Sequence, residues 1–511
     1  MRLYPMNLGQ ARTRLVQGGA ALAVVALIAG CGSNYRPVVT PVTPSGPQAQ
    51  PQSFAVVVSA PSPTTPGIAT VIDYAGDSVL ALAPIGAGPL TFTIDPLGAN
   101  GYTINSDGTL SNFPISQNLQ AKQVNYTTLP STAQPVNIST PTSGLFAADL
   151  NGNVADDFTG FPQTFKLAIP VQNTPVMIVG ASLGGQRNYA LSQNLPGTAT
   201  GVECNNTPTA EPAGEADGIE LSTLTVSSKI PVGKCPVYAV ESSDNRRLFV
   251  MNRGDDTISV INSQDNTLDA CTPFVNQSGQ TVYCHPTLPL SLTAVNAINA
   301  QCAISKSTLP PCGGPPNGTA GMTATAGPVY AEYNSATAQL IVANYDGGTI
   351  SVIDVSEDEY GNDSATFGTT FTIPVGNNPA AVTVLADGSR AYTANQTDQT
   401  VTIVTLSSHT VEKTLPITGH PRTVVSTQNS QQGKVYVASP DSPFLTIVRT
   451  DLDIVDTTVL VEGNIVDVRA TTQNGTQGNS NIVSRRPGYG QPCYLPGATN
   501  SASIGACRLL P

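Results

Sequence analysis

The sequence predicts an all-β fold, a single β-propeller of four-stranded blades whose last blade is closed by both chain termini. Three observations lead there. First, a two-strand signature recurs: Leu248-Phe-Val-Met-Asn252 precedes Thr257-Ile-Ser-Val-Ile261, Leu340-Ile-Val-Ala-Asn344 precedes Thr349-Ile-Ser-Val-Ile353, and Ala391-Tyr-Thr-Ala-Asn395 precedes Thr400-Val-Thr-Ile-Val404. Second, each of these Asn residues stands 16 residues after a proline (Pro236, Pro328, Pro379), and Pro89 and Asn105 repeat the interval. Third, 46 glycines and 42 prolines in 511 residues, beside 40% hydrophobic residues, suit a core-bearing chain broken by many turns.

Each part of a unit has a local cause. Runs of four or five β-branched or aromatic residues form strands. The segment between Asn and Thr, with Gly254 and Asp255 or Asp346 and Gly347 inside, forms a tight turn. A third turn carries Asp or Ser, and fourth strands end in Ile230-Pro-Val-Gly233, Ile373-Pro-Val-Gly376 or Leu415-Pro-Ile-Thr-Gly419. Four short strands in roughly 40–50 residues is a propeller period. Units begin near 88, 132, 172, 234, 327, 377 and 420. Pieces at 54–87 and 464–486 complete one shared blade, giving eight by count with seven as the alternative; closure protects the edges. The best helix candidate, Ser291–Ala303, lies in a Pro/Gly-rich insertion at about 271–326. That insertion is expected to cap one rim and ranks first as a recognition surface.

On these residues the chain resembles the YVTN family of β-propellers. Phe249-Val-Met-Asn252 and Tyr392-Thr-Ala-Asn395 stand for the family's strand end. The resemblance runs from about 228 to 463 and, diluted, from 66 to 227; it implies the fold and little about activity. Trp-Asp repeats are disfavoured because the chain has no Trp.

The N-terminus reads as an address. A basic start precedes an apolar run from Gly18 to Ala29, too short for a stable membrane span, ending in Leu27-Ile-Ala-Gly-Cys31. This is similar to the lipobox of bacterial lipoproteins and implies lipidation of Cys31 after removal of residues 1–30. Gly32 in place of Asp implies the outer rather than the inner membrane. Residues 31–53 read as a flexible tether, and the propeller spans 54–486. The remaining cysteines are Cys204, Cys235, Cys271, Cys284, Cys302, Cys312, Cys493 and Cys507. An even number suits disulfides in an oxidising compartment, and sequence proximity favours 204–235, 271–284, 302–312 and 493–507, although eight cysteines allow 105 pairings. The last pair would staple a tail at 487–511.

The inventory of reactive residues is thin. Gly180-Ala-Ser182-Leu-Gly184 matches a nucleophile elbow, but no helix can follow it, so Pro175–Gly180 reads as a first strand and Ser182 as a turn. Asp149, Asn151, Asn153 and Asp157 alternate as calcium ligands would, without the expected glycine, and read equally as a polar turn. His409 and His285 are expected as solvated loop residues, and Glu357, Asp358 and Glu359 as a solvated acidic run. His420 with Arg422 is the best candidate pair for a central funnel. No catalytic, metal or cofactor set is assigned, and c-type haem attachment and quinone stacking lack their residues. With Arg2, Arg12 and Arg14 removed, the formal charge of −12 becomes −15, which argues against nucleic acid. The expectation is a lipid-anchored, extracytoplasmic binding or scaffold protein for an envelope protein or glycan. The alternative is a lactonase- or lyase-type propeller enzyme with its site in the central funnel.

Overall fold

The computed structural model describes residues 53–471, except 141–143, 151, 181–185, 196–211, 277, 316–317 and 428. It also describes two short paired strands, Pro492–Tyr494 and Ile504–Ala506. Eight antiparallel four-stranded sheets form the ring, so the count of eight holds. Blade 1 joins Phe54–Ala60, Pro66–Asp73 and Val79–Ala87 to the innermost strand Asn464–Ala470, with Val57 opposite Val468. Blades 2 to 8 start at Pro89, Pro135, Pro175, Pro236, Pro328, Pro379 and Thr423. Successive innermost strands pack together all the way round, and Asn464–Ala470 closes onto Pro89–Ile94.

Burial explains the composition of each strand. Inner strands are covered on both faces, as in Pro236–Glu241, where every residue is buried. The outermost strand Thr410–Pro416 buries only Leu415. Inner strands therefore carry apolar residues on both faces, as in residues 236–240, with small polar residues such as Thr91 and Thr93 among them, whereas outer strands read as polar or alternating sequence. The core consists of layers between neighbouring blades: Tyr238 of blade 5, for example, lies against Tyr330 of blade 6 with ring centroids 4.5 Å apart.

The repeated Asn has a physical reason. Asn252 Nδ2 donates to Thr257 Oγ1 (3.2 Å) and Ser259 Oγ (2.9 Å), crossing the turn between the second and third strands. Asn344 does the same with Thr349 and Ser351, and Asn395 with Thr400 and Thr402. In blade 2, Asn105 binds Thr109 and Ser111. The glycine ending the Ile-Pro-Val-Gly motif packs on that carboxamide: a Cβ on Gly233 would lie 2.6 Å from Asn252, and one on Gly376 2.7 Å from Asn395. Aspartates in the same turns cap the preceding inter-blade loop. Asp107, Asp255, Asp398 and Asp441 accept the backbone N–H groups of Ala87, Lys234, Asn377 and His420.

A second repeat ties blade to blade. A cation at the start of the second strand reaches the turn between the third and fourth strands of the next blade. Arg187 Nη1 donates to Ser263 O (3.0 Å), Arg390 Nη1 to Thr450 O (2.7 Å), and Lys434 Nζ to Tyr74 O and Asp77 (both 2.6 Å). The aromatic two residues later adds to this. Tyr189 donates to Asn266 (2.9 Å), and Tyr392 donates to Asp453.

Candidate recognition site: the stapled insertion of blade 5

Blade 5 departs from the pattern in its outermost strand. Thr267–Leu268 begins the strand beside Asn262 and Ile261, and Thr287–Pro289 completes it beside Ser259 to Thr257. The chain between leaves the blade as an excursion closed by Cys271–Cys284. At its tip Phe274–Val275 pairs with Thr281–Val282. The helix Leu292–Ser305 then starts at Ser291, whose Oγ accepts the Ala294 N–H at 3.1 Å, and a second disulfide joins Cys302 to Cys312. Cys235 is also disulfide-bonded. Cys31, Cys204 and Cys507, with the Cys493 side chain, lie outside the described residues.

The excursion is fastened to blade 6 through the loop 355–369. Arg247 is the blade-to-blade cation of this seam, with 4% of its side chain exposed. It lies 3.5 Å from Asp269, 3.5 Å from Glu357 and 3.3 Å from Asp363. His285 Nδ1 donates to Asp363 at 2.7 Å while its ring stacks on Phe367. Asn276 and Ser278 bond Asp358 and Glu359, each at 3.1 Å. Burial pushes the Asp269 carboxyl up to about 6, with Asp363 adding and Arg247 opposing. Burial likewise raises Glu357 to about 7 against Arg247.

Two expectations are corrected here. His285 is not a free loop residue, because a buried carboxylate and an aromatic ring hold it. Glu357 is not part of a solvated run, because it is drawn in against Arg246 and Arg247, whereas Asp358 and the exposed Glu359 keep to the surface loop and bond the excursion. The sequence did contain a signal for this seam. Arg187-x-Tyr189, Arg247-x-Phe249, Arg390-x-Tyr392 and Lys434-x-Tyr436 are copies of one motif.

The other candidates stay apart from this cluster. His420 Nδ1 donates to Asp441 (2.6 Å), and its Nε2 meets the Gln399 amide (3.1 Å). Arg422 donates to the Val466 carbonyl of the neighbouring innermost strand (2.5 Å), so the proposed pair is held by different partners. His409 occupies a left-handed turn position and stacks on Phe371 with centroids 3.8 Å apart. Ser182 lies outside the described residues, while Pro175–Gly180 is the first strand of blade 4 as expected. Asn151 is also outside them. Asn153 Oδ1 accepts the Thr174 N–H, and Asp157 pairs with Lys166 on the sheet face opposite to Asp156. Among the described residues no group of three or more His, Cys, Asp or Glu could hold a metal ion. A cleft between blades 6 and 7, lined by Glu332, Tyr333, Asn334, Val384 and Leu385, has a cavity volume of only about 10 Å³, far below the roughly 300–1,000 Å³ of small-molecule sites.

The staple should matter measurably. Replacing both Cys271 and Cys284 by Ala is expected to lower the unfolding free energy by about 3 kcal/mol, the loop-closure value for a ring of this size. Denaturant unfolding under non-reducing conditions checks this.

No family model matches the sequence, and neither does any curated protein. Among solved structures, AztD from Citrobacter koseri is similar with a TM-score of 0.52 at 13% identity, covering 82% of this chain and 97% of that one. The dihydro-heme d1 dehydrogenase NirN in complex with DHE is similar with a TM-score of 0.53 at 13% identity, covering 86% of this chain and 78% of that one. A putative 6-phosphogluconolactonase from Bacteroides fragilis gives 0.47 at 14% identity, over 83% and 99% of the two chains. The likeness to the first two, at 13% identity, is a likeness of fold alone.

Proposed function

We propose that this propeller of YVTN-type repeats is an exported lipoprotein, anchored through Cys31, that binds an envelope protein or glycan with the insertion of blade 5. One observation carries the binding reading. The excursion is stapled, held at its base by His285 on the buried Asp363 and along its length by Asn276 on Asp358 and Ser278 on Glu359, yet Phe274, Val275 and Tyr283 stand exposed on it, with Tyr360 exposed on the loop it clasps. Rigid, solvent-facing aromatics have the chemistry of a recognition surface, where ordering costs little on binding. Disulfides support an oxidising compartment. The carboxylates capping the turns are engaged by backbone N–H groups, which favours binding over proton transfer there.

The test adds the full-length protein carrying Cys31→Ser, so that no lipid contributes to retention, to envelope fractions. The variant Phe274→Ser/Tyr283→Ser is expected to lose at least about tenfold in retention, corresponding to about 1.4 kcal/mol. Retention equal to wild type overturns the recognition surface. Protease and muramidase treatment of the fractions separates a protein partner from a glycan. In the Phe274→Ser/Tyr283→Ser background, where the recognition surface is removed, Cys31→Ser should leave the membrane pellet, and continued sedimentation with membranes refutes the anchor.

A further inference from the structure

We propose that blade 3 carries a proton-operated latch, in which Asp149 and Asp156 share one proton in place of the Asn–Ser/Thr hydrogen bond that closes the same turn in other blades. The register makes the positions equivalent. Asn252 lies opposite Pro236, and Ser259 opposite Val250. Asp149 likewise lies opposite Pro135, and Asp156 opposite Ala147. In blades 2, 5, 6 and 7 a carboxamide donates to a hydroxyl at this place. An ionised carboxylate has no proton to donate, so the blade 3 pair closes the turn only while one member is protonated.

Both carboxyls are buried, Asp149 with 4% and Asp156 with 2% of the residue exposed. Asp149 already accepts the Gln134 N–H at 2.8 Å, which favours keeping its charge and placing the proton on Asp156. Burial first, and then Asp149, pushes Asp156 up to about 7. Among the described residues Asp149 is the charged group acting on Asp156, from the adjacent strand. Asp157 faces the other side and is paired with Lys166. Ionisation sets two charges against each other and strains the turn. That turn also holds the next blade, because Asn153 Oδ1 accepts the Thr174 N–H at 2.9 Å.

The direction follows from linkage. The folded-state value lies above the unfolded one, so the stability conferred by the proton is full below about pH 4. It is lost as pH rises to about 7 and stays lost above it. Hydrogen exchange of Leu145–Asp149 and Val154–Thr159 in the full chain, corrected for the intrinsic pH dependence of exchange, reads this out. Wild-type protection is expected to fall at least about tenfold between pH 5 and pH 8, one pKa unit of differential interaction being worth a factor of ten. Asp156→Asn should show no such fall, and neither should Asp149→Asn/Asp156→Ser, which installs the pair used by the other blades. Parallel profiles for wild type and both variants overturn the latch. Calcium chloride that restores wild-type protection at pH 8, without effect on the variants, also overturns it, in favour of a bound cation.

Discussion

Replacing Arg247 by Leu should destabilise the ring more than any other single loss of a charge partner discussed above. Its guanidinium faces Asp269, Glu357 and Asp363, and the side chains of Asp269 and Asp363 are 2% and 0% exposed. Removing the cation leaves buried carboxylates without compensation, an effect of about 3–5 kcal/mol. Protonation of Asp269 and Glu357, already favoured by burial, will blunt the loss at low pH, so the variant should recover part of its stability near pH 5. The expected signature is a lower urea midpoint at pH 8, with faster hydrogen exchange in 269–286 and 355–369. Lys229→Ala, which breaks an exposed pair with Glu215, should change stability by no more than about 1 kcal/mol. Equal effects of the two substitutions would refute the clasp.

The second large effect is expected at the repeated Asn. Asn395→Ala removes two hydrogen bonds, to Thr400 Oγ1 at 3.1 Å and Thr402 Oγ1 at 2.8 Å, and opens space against Gly376. A loss of about 2–4 kcal/mol follows from the two lost hydrogen bonds and the cavity together. A double-mutant cycle with Thr402→Ala should return a coupling of at least about 0.5 kcal/mol, because the two side chains touch. Strict additivity would mean that the Asn acts through the backbone alone.

These two sites show which parts of the molecule can be read without a structure. The Asn–Thr–Thr contact spans seven residues and sits in one hairpin, so its spacing is fixed by strand geometry and recurs visibly in the sequence. The Arg247–Asp363 contact spans 116 residues and joins two blades. Its recurrence as Arg-x-aromatic was present in the sequence, but its partner depends on which turn the next blade brings alongside. His285 shows the same limit. Its neighbours in sequence suggest an exposed loop, while the residue that holds it, Asp363, arrives from blade 6.

The sequence by itself determined the all-β class, the propeller period, the shared closing blade and the place of the insertion. Hydrophobic periodicity, turn chemistry and short-range side-chain bonds are all local, and each repeats often enough to be recognised. Tertiary structure alone decided that the insertion is a clasp on the next blade, that His420 and Arg422 have separate partners, and that Asp149 and Asp156 meet in a buried pair. Those outcomes depend on burial and on register between strands. A side chain's partner, its charge state and its freedom to act are set by what the folded ring places against it.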